Sequence, residues 1–535
     1  MSAEEDHSVR GREQGSPPLI ETLADIPRVY ARLNPQHPAL EFEGRSTTYA
    51  ELDARASQVA RALIADGVRP GDRIAHLGKN TDLYVELLLG AAKAGAVMTP
   101  VNWRLAPPEW LYMINDSDAK ILFVGPEFIG AVEAAAAELQ VRQVIGMESP
   151  YKGRSYREWR DAQPSDDPRV PIEKSAAALQ LYTSGTTGHP KGAVLSNSNL
   201  CGMPQESGIY EWSRWHATDV NLIAMPCFHI GGTGWAILGL INGAQNIVAR
   251  EFDPTKVLDY IETWRITKLF LVPVAMQVIV RLPKARQVDY SQLKYIMYGA
   301  SPMPLALLRE CMDVFGCGFV QLYGMTETTG SVTALAPEDH DVAGNPRMSS
   351  AGKALPGVEI VILDADGTRL PPGKVGEVVV RSPANMQGYW KLPQATAKTI
   401  GEDNWLRTGD AGYLDEQGYL YIHDRVKDMI ISGGENIYPA EVENAIYGHP
   451  DVGEVAVIGI PSESWGEEVK AFVALKPGKQ PDQDSIIAWA RERIASYKVP
   501  KSIDFIEALP RNASGKILRR QLREPYWKGR ERQVN

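Results

Sequence analysis

The sequence predicts an α/β protein: a large N-terminal domain of layered α/β subdomains with a β-rich subdomain, followed by a small α+β C-terminal domain. Length is the first reason, because 535 residues exceed one ordinary hydrophobic core and call for roughly two to four domains or subdomains. The second is that segments of helical and strand period alternate as far as about Gly352. The third is a change of texture after that point, where strands follow one another across turns such as Asp366-Gly367 before a last mixed block.

Met1–Pro18 is polar and charged, lacks the apolar stretch of a signal peptide, and reads as a disordered tail. Tyr49–Asp66 has helical period, Arg73–Leu77 reads as a strand, and Tyr84–Ala96 as a helix. The alternation returns with strands at Thr267–Val272 and Leu293–Tyr298, a helix at Pro304–Phe315 and a strand at Gly318–Tyr323. Val358–Leu363, Val375–Arg381 and Gly418–His423 are β segments. A charged cluster at Asp424–Asp428 ends the last hairpin and marks a link. Beyond it come strands at Val455–Ile460 and Val469–Leu475, a helix at Asp484–Ile494 and a strand at Ile503–Ile506. The run from Arg519 to Arg532 is basic and reads as a solvated tail.

Composition narrows the function. With 44% hydrophobic and 23% charged residues the chain has the balance of a soluble globular protein. A net charge of −10 argues against bulk nucleic-acid binding, which wants a basic face, but leaves room for a local cationic nucleotide site. Cys201, Cys227, Cys311 and Cys317 lack metal-binding spacing and read as buried thiols of a reducing compartment. The longest apolar candidate for a membrane span, Leu269 to Val280, is short and broken by Pro273. A cytoplasmic protein without a transmembrane segment is expected.

The most informative stretch is Tyr182-Thr183-Ser184-Gly185-Thr186-Thr187-Gly188-His189-Pro190-Lys191-Gly192-Ala193. Its glycines let backbone N–H groups turn toward an anion, its short hydroxyls add donors, and Lys191 adds a mobile positive charge. Lys191 stands three residues after Gly188 and is followed by Gly192 instead of Ser or Thr. The flanks Ala176–Tyr182 and Ala193–Leu195 read as apolar strands, so the loop caps a hairpin. A Walker-type phosphate loop, which opens a helix, is excluded.

Four more segments follow in order: Gln321-Leu-Tyr-Gly-Met-Thr-Glu327-Thr, Trp405-Leu-Arg-Thr-Gly-Asp410, Asp424-Arg-Val-Lys-Asp-Met-Ile-Ile-Ser-Gly-Gly434-Glu-Asn-Ile-Tyr438-Pro-Ala-Glu441, and Pro510-Arg-Asn-Ala-Ser-Gly-Lys516. Together with the loop they closely resemble the adenylate-forming superfamily of acyl-CoA synthetases, peptide-synthetase adenylation domains and beetle luciferases. The match runs from about residue 40 to 520 and is nearest to bacterial fatty-acid–CoA ligases, then to aryl-acid–CoA ligases. The resemblance implies a tail at 1–18, an AMP-binding domain at 19–424, a hinge at 425–428 and a mobile C-terminal lid at 429–535.

It also implies two half-reactions with ATP, Mg²⁺ and coenzyme A. A carboxylic acid attacks the α-phosphate of ATP to give an acyl-adenylate and pyrophosphate. The CoA thiol then attacks the acyl carbon and releases AMP. Acid and triphosphate are both anions, whose unscreened repulsion at a few Å amounts to several kcal/mol at an intermediate dielectric, so a cation must bridge them.

By resemblance, Lys516 supplies that cation in the first step and Glu327 holds the Mg²⁺. Thr326 shares the phosphates with Thr183, Ser184, Gly185, Thr186, Thr187 and Lys191. Asp410 and Arg425 take the ribose, Tyr323 offers a face to adenine, and Gly324 and Met325 continue that strand. Gly299, Ala300 and Ser301 are small residues where the purine slides in. Cys227-Phe-His229-Ile-Gly-Gly-Thr-Gly-Trp235 matches the segment lining the acid pocket. There His229 gates the pocket or contacts the carboxylate, and Ile230, Gly232, Trp235 and Met325 line it. No aspartate stands beside this segment to meet an amine, so an uncharged, hydrophobic acid is expected. Lys427 is the pivot, a place where many relatives carry Asp. Ser432, Gly433 and Gly434 line a passage for the pantetheine arm, with Tyr438 and Glu441 on the CoA side.

A medium- or long-chain fatty acid is the expected substrate. An aryl acid of cinnamate or benzoate type, and loading of a carrier protein, are the alternatives. A non-catalytic descendant is disfavoured by the retained Lys516, Glu327 and Asp410. Partners are the acid, ATP and CoA. Contact of the basic tail with a membrane surface and pairing into a homodimer stay open at this point.

Overall fold

Two large sheets and the helices between them form the body of the protein. The computed structural model describes residues 20–528, apart from 184–189, 207–208, 426–427, 433–434, 463 and 512–514. The expected tail at 1–18 therefore lies outside the described residues.

The nine-stranded sheet has a parallel centre, in which Gly318–Met325, Tyr295–Gly299, Lys268–Leu271, Val220–Ile223, Gln245–Val248 and Pro38–Phe42 lie side by side. The seven-stranded sheet pairs Arg73–Leu77, Val97–Pro100, Ile121–Val124, Gln143–Gly146 and Ala177–Thr183 in parallel. Lys191–Ser196 then returns antiparallel beside Ala177–Thr183, which confirms the hairpin expected around the phosphate loop. Parallel strands bury both faces and need crossovers, so the alternating helices of the sequence cover them.

Helices Asp82–Ala94 and Ile230–Ile241 share one core with strands of both sheets. Asp82–Ala94 is buried along its whole length, as an all-round apolar helix must be. Its few charges are paired: Glu86 with Arg160 at 2.8 Å and Lys93 with Asp167 at 2.9 Å. A buried charge without such a partner would be costly. Helix Ile230–Ile241 packs beside it, with Leu87, Leu88, Ala236 and Ile237 in one core with Leu40, Phe42, Met98 and Leu179 from both sheets. The Tyr84 hydroxyl lies 2.6 Å from Thr233 Oγ1 and ties the two helices together.

The β-rich part is a four-stranded antiparallel sheet of Glu359–Leu363, Gly376–Arg381, Trp405–Leu414 and Leu420–Arg425. A separate five-stranded sheet, built on the long hairpin Val452–Ser462 and Gly466–Leu475, forms the small C-terminal domain with its own core of Val442, Ile446, Val457, Val473 and Ile486. The chain leaves one sheet at Arg425 and enters the other at Ile430.

The basic C-terminal run departs from expectation. Arg519–Trp527 is a helix docked on the small domain, not a solvated tail. Arg519 pairs with Glu443 at 2.8 Å, Arg523 with Asp428 at 2.6 Å, and Tyr526 donates to Asp504 at 2.8 Å. Its charges are answered by carboxylates distant in sequence, which composition alone does not reveal.

Candidate active site

In an open parallel sheet ligands gather outside the carboxyl ends of the strands. Here Val220–Ile223 leads toward Phe228 and His229, Lys268–Leu271 toward Val272, Tyr295–Gly299 toward Ala300 and Ser301, and Gly318–Met325 toward Thr326 and Glu327. The segments around His229, Ala300 and Glu327 thus fall on one edge. The same edge receives the end of Ala177–Thr183 from the other sheet, because Thr183 Oγ1 lies 3.2 Å from Glu327 Oε1.

Glu327 is the meeting point of the two sheets. It is buried, accepts a hydrogen bond from Tyr389 OH at 2.8 Å as well as from Thr183, and its carbonyl takes the Met386 N–H. Tyr389 lies on the short strand Gly388–Tyr389, opposite Ala193 just after the phosphate loop. The Lys191 ammonium sits 5.1 Å from the centre of the Tyr389 ring, within cation–π range. Carboxylate, hydroxyls and ammonium are therefore fixed at the base of the loop. Ser184, Gly185, Thr186 and Thr187 lie outside the described residues.

At the nucleoside end Tyr323 donates to Asp410 Oδ2 at 2.7 Å. Asp410 is buried, and its backbone N–H is held by Thr408 Oγ1 at 3.1 Å. Asp410 stands opposite Arg425 in the antiparallel pairing, and the Arg425 side chain lies outside what is described. A register shift between Tyr323 and Gly324 re-aims the strand where it leaves the sheet. A Cβ on Gly324 would overlap the Gly330 carbonyl, so glycine is required for this approach. Gly299 is small for a different reason than expected: a Cβ there would overlap Leu322 O of the neighbouring strand, so the space is already filled by backbone. Ala300 takes the left-handed conformation at φ 66, a strained choice for a residue with a side chain.

On the acid side His229 precedes helix Ile230–Ile241 and packs its ring 4.5 Å from that of Phe228. The residue is half-buried, but its Nε2 is fully buried and has no hydrogen-bond partner among the described residues. Burial, and then the charge of Arg104, push its pKa down to about 4, so the ring is neutral near pH 7. Ile230, the next residue, and Met325, at the end of strand Gly318–Met325, are half-buried. The other two expected lining residues face elsewhere. Trp235 is a core residue whose Nε1 donates to Leu222 O at 3.2 Å and whose ring lies 5.7 Å from Trp215. At Gly232 a Cβ would overlap the Pro226 carbonyl, so this glycine serves the turn into the helix and leaves no open volume.

Trp103 and Arg104 escaped sequence reasoning. They follow strand Val97–Pro100, and Trp103 stacks edge-on at 5.9 Å against Phe228, with Arg104 4.9 Å over its ring. Their position past the carboxyl end of a parallel strand is the signal that could have found them.

The C-terminal loop comes to this edge as well. Gly515, at φ 83, is so close to helix Pro273–Val280 that a Cβ would stand 2.8 Å from Val274 Cγ1. Arg511 fixes the loop by donating to Gly515 O at 2.7 Å and pairing with Glu454 at 3.3 Å. Lys516 is the next residue and is half-buried. Ser432, by contrast, ends a strand of the small domain opposite Glu435 and Gly466, and Tyr438 stacks 4.4 Å from His423. Gly433, Gly434 and Lys427 lie outside the described residues.

Among the described residues no group of three or more His, Cys, Asp or Glu side chains could hold a metal by itself. Mg²⁺ does not need one, since it is usually bound by one or two carboxylates together with substrate phosphates. The buried Glu327 carboxylate beside the phosphate loop fits that requirement. No helix among the described residues is long and apolar enough to cross a membrane.

Comparison with known proteins agrees with this geometry. Residues 28–390 match the model of the AMP-binding enzyme family, and 441–516 match its C-terminal domain. A fatty acid–[acyl-carrier-protein] ligase of Streptomyces coeruleorubidus, ScoC, is 41% identical over 97% of this chain and 99% of its own. The long-chain-fatty-acid–CoA ligase FadD13 of Mycobacterium tuberculosis is 37% identical over 90% and 93%. Among solved structures, the anthranilate CoA ligase AuaEII in complex with anthranoyl-AMP superposes with a TM-score of 0.88 at 28% identity, covering 95% of this chain and 98% of that one. The chain belongs to the AMP-binding, adenylate-forming family, whose members include AMP-forming acid–CoA ligases.

Proposed function

We propose that the protein is an ATP-dependent ligase that activates a medium- or long-chain fatty acid as its acyl-adenylate and transfers the acyl group to coenzyme A. ATP and CoA are substrates of the family's ligases, and the family generally requires Mg²⁺. The observation that carries the reading is the convergence of Thr183, Lys191, Glu327 and Tyr389 from two sheets at the base of the phosphate loop. The loop of Lys516 is seated on the same edge.

In the first half-reaction a carboxylate oxygen bonds to the α-phosphorus and the bond to the pyrophosphate oxygen breaks. Asp410, held by Tyr323, takes the ribose hydroxyls with Arg425, and the Tyr323 ring faces adenine. Thr183, Lys191, Thr326 and the loop hydroxyls hold the phosphates. Glu327, together with the substrate phosphates, would hold Mg²⁺, whose charge would offset that of the pyrophosphate leaving group. Lys516 lies between carboxylate and α-phosphate and stabilises the charge that builds there. In the second half-reaction the CoA sulfur bonds to the acyl carbon, AMP leaves with the bonding pair, and the thiol proton passes to solvent. The lid turns about residues 425–428, with Lys427 as pivot, so that Ser432, Gly433 and Gly434 line the thiol's path.

The acid is read from the lining. His229 is neutral, its neighbours Phe228 and Ile230 are apolar, and the cations Lys79 and Arg104 lie against the Trp103 ring. The Glu251 carboxylate is already taken by Lys79 at 2.6 Å, and an alkyl chain entering beside these rings loses only water. ScoC and FadD13 are both ligases of fatty acids. ScoC also supports a second reading, in which the acyl group goes to the phosphopantetheine of a carrier protein.

The test is to incubate the protein with ATP, Mg²⁺, a panel of acids, and either CoA or a holo carrier protein, and to follow AMP and thioester. Thioester with dodecanoate and CoA supports the proposal. Thioester with coumarate alone moves the substrate to the aryl class. Turnover with the carrier but not CoA moves the acceptor, and absence of AMP with every acid sinks the ligase reading.

A further inference from the structure

Helix Pro273–Val280 presents one stripe to the C-terminal domain. Val274 touches Gly515, Gln277 touches Tyr447 and Gly453, and Arg281, just past the helix, lines a cleft of about 390 Å³ together with Glu310, Tyr447 and Lys476. Positions three and four apart share a helix face, so these contacts form one seam between the domains.

Gln277 is the polar centre of that seam. It is 5% exposed, and its Nε2 donates to Tyr447 OH at 2.7 Å and to Gly453 O at 3.0 Å. Tyr447 ends helix Pro439–Tyr447 and Gly453 lies in strand Val452–Ser462, so both acceptors belong to the small domain. The same docking seats Gly515, and with it the loop of Lys516, against the turn that follows strand Lys268–Leu271. If the small domain turns away, both bonds are lost together and the amide is returned to water. Exchanging such a bond for bonds to water still leaves a modest net preference for the paired state, roughly 2- to 10-fold per bond. The pair of bonds therefore favours one domain pose over others without touching any reacting atom.

We propose that Gln277 is a positioning residue of the first half-reaction, an amide latch that weights the two half-reactions by holding the lid where the loop of Lys516 is seated against the edge that carries the site. This rests on the two-step ligase reading above. Loss of hydrogen bonds of this kind shifts a two-state population by roughly 5- to 10-fold.

The test uses the full-length protein with Gln277→Met, which keeps the shape and removes the amide, and Tyr447→Phe, which removes only the hydroxyl. Two rates are measured on the same preparations. One is ATP–pyrophosphate exchange with dodecanoate, or with coumarate if the panel selects it. The other is thioester formation from the matching acyl-adenylate and CoA. The latch predicts that Gln277→Met lowers exchange by roughly 5- to 10-fold while transfer from supplied adenylate is unchanged or faster. Tyr447→Phe should do the same to a smaller extent, and should add nothing in a protein already carrying Gln277→Met. A general folding defect lowers both rates together, so equal losses would overturn the latch, as would an unchanged ratio. Continued loss of exchange from Tyr447→Phe in the double variant would also overturn it. If the unmutated protein performs neither half-reaction, the ligase reading falls and the latch falls with it.

Discussion

Tyr323 holds Asp410 by a 2.7 Å hydrogen bond between residues that arrive from different sheets. Tyr323 comes from the end of strand Gly318–Met325 in the nine-stranded sheet, and Asp410 from Trp405–Leu414 in the antiparallel sheet. One phenol thus serves two purposes, setting the plane of a carboxylate and presenting an aromatic face beside it. The Thr408 hydroxyl steadies the same aspartate from its backbone side.

Removing only the hydroxyl separates these purposes. Tyr323→Phe keeps the ring and frees the carboxylate to rotate, so KM for ATP should rise by roughly 5- to 10-fold with little change in kcat. Steady-state kinetics with varied ATP checks this. A fall in kcat at unchanged KM would show that the hydroxyl acts in the chemistry instead.

Glu327 tests the phosphate end. Glu327→Gln retains an acceptor for Tyr389 and Thr183 but removes the negative charge, so the fold should melt within about 3 °C of the unmutated protein. Adenylation should fall on the order of 10²-fold, with a higher Mg²⁺ concentration needed for half-maximal rate. Pyrophosphate exchange across a Mg²⁺ titration is the readout. An unchanged Mg²⁺ dependence would remove Glu327 from the metal site.

His229 makes a prediction about acid stability. Burial, with the Arg104 charge second, holds its pKa near 4 instead of the ordinary 6.5. A histidine kept neutral in the fold contributes stability that is complete above its unfolded pKa and is lost as pH falls through the folded value. The window is therefore from about 6.5 down to about 4, and the loss is on the order of 2 kcal/mol once its partial exposure is allowed for. His229→Phe should lose less of its melting temperature than the unmutated protein between pH 7 and pH 4.5. His76, also held low by burial, acts equally in both proteins. Parallel melting curves across that range would contradict the burial of a neutral imidazole.

Local chemistry made much of this legible in the sequence. Ala177–Thr183 and Lys191–Ser196 were readable because apolar strands flank a turn-forming run, and Glu327 because it follows a strand in a recognisable unit. Tyr389 was not readable, since it lies 62 residues from the carboxylate it bonds and is placed by an edge strand of only two residues. Gly232 was read as pocket lining and Gly299 as a small residue beside the purine, yet both mark places where backbones approach closely, a distinction that depends on the neighbour and not on the glycine. The helix Arg519–Trp527 was missed because Glu443, Asp428 and Asp504, which neutralise and anchor it, are brought together only by the fold. Gln277 gave no signal at all, for nothing in an apolar helix announces that its one amide meets another domain.

Lys516 decides the chemistry most directly. Lys516→Ala should reduce ATP–pyrophosphate exchange by roughly 10²- to 10³-fold while thioester formation from supplied acyl-adenylate and CoA proceeds at close to the unmutated rate. Equal loss of both half-reactions, or exchange that survives the substitution, would contradict the delivery of this lysine to the phosphate loop for the first step alone.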